Sequence, residues 1–250
     1  MSSPATTPSL PAAIRNRQGE RLDFTLHQGA ADSREMVVIG HGVTGNKDRP
    51  HLVALAEGLA AAGIPALRLS FAGNGSSEGE FAASTITKEV EDLGAVLDAL
   101  PGWNITYVGH SMGAAVGVLR ASRDARIKRL VSLAGMAHPA EFAQREFGAQ
   151  QPGKDFMWYD EDCPLGETFM RDMAAIPDVA DAARAITAPW LLVHGTADDV
   201  VPIGDSEALV QAVGAERVSF VRIDGANHGF AEAHTPVMVA AVINWLKPLI

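Results

Sequence analysis

The sequence predicts an α/β fold, a mostly parallel central sheet flanked by helices on both faces. Three observations support this. Short, continuously apolar runs rich in β-branched residues recur along the chain, as expected of strands covered on both sides. Amphipathic helical stretches separate them, which gives the alternation of a parallel sheet with helical crossovers. The 250 residues are ample for one such domain, residues 1–250, with a large buried core.

The elements follow in order. Ile14 to Leu26 shows two polar–apolar stretches broken by Gln18-Gly19-Glu20, the pattern of a β-hairpin with a short turn. Met36–Ile39 is a wholly apolar strand that ends at Gly40-His41-Gly42. Leu52 to Ala62 carries Leu52, Leu55 and Leu59 at helical spacing, with Gly63 placed to cap its end. Ala66–Phe71 is the next strand. Ile86 to Leu100 is a helix whose Ile86, Val90, Leu93, Leu97 and Leu100 form a core-facing stripe. Ile105–Val108, Leu130–Ala134, Trp190–His194 and Val218–Ile223 read as further strands, and Val237–Leu246 as a closing helix. Between Ala134 and Trp190 lies a long interruption.

Composition narrows the functional classes. A net charge of −10 offers no basic stripe to neutralise phosphates, so nucleic acid is not an expected partner. The single cysteine, Cys163, cannot form an internal disulfide and fits a reducing compartment. Met1 to Pro11 has neither a basic start nor an apolar centre and reads as a tail rather than a signal peptide. No apolar run is long enough to span a bilayer, so membrane insertion is not expected and the expected location is the cytoplasm. The oligomeric state, a homodimer included, is left open.

In a parallel sheet, ligands bind beyond the carboxyl ends of the strands, and four such ends carry chemically loaded loops. Gly109-His110-Ser111-Met112-Gly113 follows the strand Ile105–Val108 and opens into Ala114–Leu119, a helix-compatible run. That is the strand, sharp turn and helix of a G-x-S-x-G nucleophile elbow, which lifts a serine hydroxyl above the sheet edge. The plain alternative is a βα turn whose serine caps the helix. Asn227-His228-Gly229, on the loop after the last strand, offers an imidazole that can take a proton from the serine and return it to a leaving group. The loop His194–Pro202 offers a carboxylate, Asp198, to orient that imidazole, giving the chain order Ser111, Asp198, His228. Acyl transfer also needs two backbone N–H groups for the developing oxyanion. Met112, after the serine, and Val43, in His41-Gly42-Val43-Thr44-Gly45, are placed to supply them.

These segments, together with Phe71-Ala72-Gly73-Asn74-Gly75-Ser76-Ser77-Glu78-Gly79 and Asn227-His228-Gly229-Phe230, resemble the α/β-hydrolase family over nearly the whole chain. The likeness is closest to small esterases and acylglycerol lipase-like hydrolases, a group that includes feruloyl and cinnamoyl esterases. The resemblance implies an α/β-hydrolase fold and a serine hydrolase with Ser111, Asp198 and His228 as its triad, using no metal and no organic cofactor. Family spacing selects Asp198 over its neighbour Asp199. One departure is visible: related hydrolases often carry an arginine between the aromatic residue and glycine where this chain has Phe71-Ala72-Gly73.

The interruption from His138 to Ala188 falls where this fold often inserts a cap. It concentrates Phe142, Phe147, Phe156, Trp158, Tyr159 and Phe169 with Met157, Met170 and Met173, more apolar surface than a solvated loop carries. The expectation is a short lid, residues 138–188, over an apolar acyl or aryl pocket. The alternative is a helical insertion that packs on the main body. Phe156, Trp158 and Met170 are candidates for substrate contact, as is His41, whose first role is support of the oxyanion loop. His110 and His194 read as hydrogen-bonded structural histidines. His27, His51 and His138 lack companions at metal-binding spacing. The expected function is hydrolysis of small to medium acyl or aryl carboxylic esters through an acyl-enzyme. The rival readings are a serine peptidase or acyltransferase of the same fold, and a non-catalytic ligand-binding homologue.

Overall fold

The computed structural model describes residues 10–250, so most of the Met1–Pro11 tail lies outside the described residues. A two-stranded ribbon, β1 (Ile14–Arg15) and β2 (Arg21–Leu22), is followed by a seven-stranded sheet. Its strands are β3 (Phe24–His27), β4 (Glu35–Gly40), β5 (Ala66–Leu69), β6 (Asn104–His110), β7 (Ile127–Leu133), β8 (Trp190–Gly195) and β9 (Val218–Ile223). They lie in the order β3-β5-β4-β6-β7-β8-β9, and every neighbouring pair is parallel except β3 with β5. The α/β class and the mostly parallel sheet expected from the sequence are therefore present.

The helices between strands are α1 (Pro50–Ala61), α2 (Ile86–Asp98), α3 (Met112–Ala121), α7 (Gly204–Val213) and the closing α8 (His234–Leu246); α4 (Pro139–Phe147), α5 (Glu167–Ala175) and α6 (Ala180–Arg184) lie between β7 and β8. Strand residues alternate between two cores, as the pleat requires. Val37, Ile39, Val108 and Val193 pack with Leu52, Leu55 and Leu59 of α1 and Met238, Val242 and Leu246 of α8. Val38, Tyr107, Leu130 and Leu192 join the other core, with Val90, Leu93 and Leu97 of α2 and Val116 of α3. Each such fully buried aliphatic side chain contributes roughly 1.5–3 kcal/mol of transfer free energy. Thr85 starts α2 by accepting the Lys88 N–H at 3.0 Å, a cap its hydroxyl is suited to make.

Two differences from the sequence reading have physical causes. The expected hairpin over Ile14–Leu26 stops at Leu22, and Phe24–His27 instead pairs antiparallel with β5 as the edge of the main sheet. There Phe24 and Leu26 reach the core under the sheet, a burial the two-stranded ribbon could not offer them. Helix α7, for which no expectation was formed, follows Pro202 and carries Asp205 and Glu207 in its first turn, which suits the positive end of the helix.

Strand order also locates the site. The chain runs from β4 outward to β5 and then back across to β6. Loops leaving β4 and β6 therefore diverge to opposite faces and open a crevice between neighbouring strand ends. His41–Gly45 and Ser111 stand at that crevice.

Candidate active site

Ser111 joins β6 to α3 with φ 57° and ψ −123°, a left-handed backbone that a non-glycine residue adopts only where its surroundings enforce it. Enforcement is visible on every side. A Cβ on Gly109 would overlap the Gly113 carbonyl, and one on Gly113 would overlap that of His41. The Tyr107 hydroxyl donates to the Gly113 carbonyl at 3.0 Å, and the Ser111 N–H to Leu133 O at 2.9 Å. The loop from β4 passes so close that a Cβ on Gly42 would sit 2.6 Å from the Ser111 Cβ.

That loop is pinned rather than free. His41 is fully buried. Its Nε2 accepts the Phe71 N–H at 3.0 Å, which leaves Nδ1–H to donate to Gly42 O at 2.9 Å. Burial drives its pKa down to about 4. Arg68 donates to Lys47 O at 2.5 Å and to Asp48 at 2.7 Å, and the Lys47 N–H donates to Ser70 Oγ at 3.0 Å. So anchored, the loop brings Val43 to a small space that Met112, the first residue of α3, also borders. Among the described residues the N–H of neither meets an acceptor, and the first-turn amides of a helix have no partner within it.

Asp198 has a side chain with no solvent exposure. One oxygen accepts the N–H groups of Val200 at 3.0 Å and Val201 at 2.9 Å. The other lies 2.9 Å from His228 Nδ1 and 3.2 Å from His194 Nε2. Burial alone would raise this carboxyl, but the hydrogen bonds from His194 and His228 outweigh it and hold it well below the usual carboxylate range. Asp199, the competing residue, is exposed and takes no part. His194 is itself fixed: the Ser206 hydroxyl donates to Nδ1 at 2.7 Å, and Nε2–H faces Val201 O at 2.9 Å as well as Asp198. The sequence reading of His194 as a hydrogen-bonded structural residue fits this arrangement but missed its contact with Asp198. The turn directly after β8 folds Asp198 back onto His194, four positions earlier.

Ser111 and His228 line one cavity of about 700 Å³, together with Gly42, Thr44, His51 and Trp158. With Nδ1 committed to Asp198, His228 has Nε2 left for this cavity. Three imidazoles are layered beside it: His51 lies 4.4 Å from His110, and His110 4.7 Å from His228, centroid to centroid. His110 Nε2–H also donates to the His228 carbonyl at 2.9 Å and fixes that loop.

The remaining expected contacts divide. Trp158 reaches the cavity. His41 does not, because both ring nitrogens are spent on backbone inside the protein. Phe156 and Met170 do not line it either. Phe156 is tied by a backbone bridge to Pro164, and Met170 packs on the core below α5. His51, set aside in the sequence reading for lack of companions at metal-binding spacing, also lines the cavity. Cys163 offers no competing nucleophile, since burial and Asp160 push its thiol up to about 11.

The buried imidazoles make a stability prediction. Burial lowers the pKa of His41 and His51 to about 4, and that of His110 well below its usual value. From about pH 6.5 down to 4 the unfolded chain gains three protons that the native state refuses. Glu89 works in the opposite sense, because burial and Asp92 raise its carboxyl and the native state keeps a proton that the unfolded chain loses above about pH 4.5. With His27, which burial also lowers, the depressed imidazoles outnumber the raised carboxyls of Glu89 and Asp92, so unfolding takes up protons and stability falls as the pH drops through this window. Urea unfolding midpoints at pH 7 and pH 5 measure it; equal midpoints would contradict neutral, buried rings.

Comparison with known proteins bears on the fold and the family. The chain is 25% identical to a monoacylglycerol lipase of Mycolicibacterium smegmatis, over 91% of this chain and 93% of that one. Among solved structures, the ferulic acid complex of Est1E from Butyrivibrio proteoclasticus superposes with a TM-score of 0.81, 26% identity, and coverage of 95% of this chain and 98% of that one. The Pyrococcus furiosus esterase Pf2001 shares the fold, with a TM-score of 0.75 at 21% identity, covering 95% of this chain and 91% of that one. A model described as serine aminopeptidase, S33, matches residues 157–232. The model of the alpha/beta hydrolase fold matches residues 35–164, just over half of the chain. With the reversal of strand order at β4 and β6 and the left-handed serine between them, the chain belongs to the α/β hydrolase family.

Proposed function

We propose that the protein is a serine carboxylic ester hydrolase acting through an acyl-enzyme on small to medium acyl or aryl esters. The observation that carries this reading is the 2.9 Å bond between Asp198 and His228 Nδ1, which orients the imidazole at the cavity that Ser111 lines. In the proposed reaction Ser111 Oγ attacks the ester carbonyl while His228 Nε2 takes its proton. The N–H groups of Val43 and Met112 receive the oxyanion, the more favourably because Met112 stands at the positive end of α3. The tetrahedral adduct collapses, His228 hands its proton to the departing alcohol, and the acyl group stays on Ser111. Water, deprotonated by the same imidazole, then releases the acid. Asp198 stays ionised throughout and stabilises the imidazolium.

The monoacylglycerol lipase and the ferulic acid complex among the relatives support an ester substrate. The serine aminopeptidase model over residues 157–232 favours an amide as the second reading. Residues 138–188 act as a lid in this proposal, with Trp158 as the part that meets substrate. Phe142, Phe147, Phe169 and Met173 belong to the core and hold that lid to the body. The lone buried thiol suits work in the cytoplasm.

Two measurements test the reading. A fluorophosphonate should add one phosphonyl group to Ser111, located by peptide mass, and an enzyme that stays unlabelled would be a binding homologue. Matched leucine esters and amides should show the ester cleaved faster by at least tenfold in kcat/KM; the reverse order assigns a peptidase.

A further inference from the structure

A second, much smaller cavity shares Val43 and Thr44 with the large one. It holds about 10 Å³, roughly the space of one water molecule. Met112 borders it from the elbow, Met157 and Phe169 from the region between β7 and β8, and Glu89 from α2. Both backbone groups proposed to receive the oxyanion therefore belong to residues on its wall. An acyl group extending from Ser111 past those amides would reach this space.

Glu89 is the unusual member. It is 1% exposed, and its Oε2 has no hydrogen-bond partner among the described residues. Among the described residues no cation pairs with it: the adjacent Lys88 pairs with Glu20 at 2.9 Å. Burial first, then the charges of Asp92 and Asp172, raise its carboxyl well above the usual range. Such a carboxyl accepts hydrogen bonds when ionised and both donates and accepts when protonated. Asn74 and Ser84, also on the wall, are already engaged. The Asn74 amide donates to Ala72 O at 3.3 Å and to Ser84 Oγ at 3.2 Å, and the Ser84 hydroxyl donates to Ala72 O at 2.9 Å. Buried polar atoms in native proteins nearly always have partners, and an orphan is accounted for by an unplaced water or by function. Here the orphan borders a space of one water, whose apolar wall is Val43, Phe81, Met112, Met157 and Phe169.

We propose that this cavity is the end of the acyl site and that it takes the distal hydroxyl of an aliphatic hydroxyacyl group, which exchanges hydrogen bonds with the Glu89 carboxyl. The inference rests on the ester hydrolase reading and names its acid portion. A hydroxyl fits the space and reproduces the bonds of a water that it displaces, whereas an aromatic ring exceeds it several-fold. A chain ending in methyl would fill the space and leave the carboxyl unpaired. That outcome is one a site built for a hydroxyl rejects.

The test uses ethyl esters of straight-chain acids of four to eight carbons, each with and without an ω-hydroxyl group. At one chain length the hydroxy ester should exceed its plain partner in kcat/KM by about tenfold, the worth of one good neutral hydrogen bond. Glu89→Gln, which still donates and accepts, should keep that preference, and Glu89→Leu should reverse it. Ratios near one at every length, or a preference that survives Glu89→Leu, would overturn the proposal. If Glu89→Leu does not fold, competitive inhibition of the wild-type enzyme by free ω-hydroxy acids against their plain analogues replaces it, and equal inhibition constants overturn the proposal. Should Ser111 resist the fluorophosphonate and no ester of either series turn over, the hydrolase reading itself fails. Brisk but equal turnover defeats only the hydroxyl site.

Discussion

Replacing Ser111 by alanine should lower hydrolysis of p-nitrophenyl butyrate by roughly ten-thousand- to a million-fold, the range seen when a serine nucleophile is removed. The residual rate would come from the two backbone amides and the binding cavity, which the substitution leaves in place. Folding should be unaffected. Alanine is smaller than serine, the position is 3% exposed, and the left-handed backbone is already occupied by a residue with a Cβ. The hydrogen bonds that fix the turn, from Ser111 N to Leu133 O and from Met136 N to Ser111 O, are main-chain and survive. Steady-state rates and thermal unfolding followed by circular dichroism measure both halves. A variant that turns over ester at a tenth of the wild-type rate would remove Ser111 from the chemistry.

Asp198→Asn should lower kcat by about ten-thousand-fold with only a modest change in KM, through the tautomer of His228. Four N–H groups now point at two carboxylate oxygens. An amide has one oxygen to offer them. If that oxygen keeps Val200 and Val201, the new NH₂ faces His228 Nδ1, which can remain in contact only by giving up its hydrogen and accepting. The proton then resides on Nε2, the atom that has to take one from the serine. Asp199→Asn is the matched control, since that side chain stands in solvent, and its kcat should stay within about twofold of wild type. Loss of activity in the control and not in Asp198→Asn would reverse the assignment of the acid.

What could be read from the sequence was local. Each central strand is continuously apolar because helices cover it on both faces, and the elbow needs its strand, glycines and helix within one short stretch of chain. Asp198 and His228 stood out for a related reason: loops after strand ends in a parallel sheet converge, so their sequence positions already imply proximity. Contacts that depend on which neighbours a folded surface acquires were not legible. His41 is two residues from Val43 in sequence, yet its ring turns inward to hold Phe71, thirty positions away. Phe156 and Trp158 are near neighbours with similar composition, but the backbone bridge to Pro164 falls on Phe156 and the cavity on Trp158. Glu89 belongs to an amphipathic helix, which turns it inward to a buried wall where its Oε2 meets no partner among the described residues. No periodicity encodes that missing partner.

The stretch containing α4, α5 and α6 leaves the sheet at β7 and returns at β8, and these two strands are immediate neighbours. Its departure and return points are therefore fixed by the ladder between Leu130–Leu133 and Trp190–Val193, whatever lies between them. Ser111, Asp198 and His228 all sit outside the excursion. On the proposed reading, another segment in its place would act like an interchangeable jaw on a fixed vice, altering which molecules are gripped while the reactive groups keep their mutual alignment.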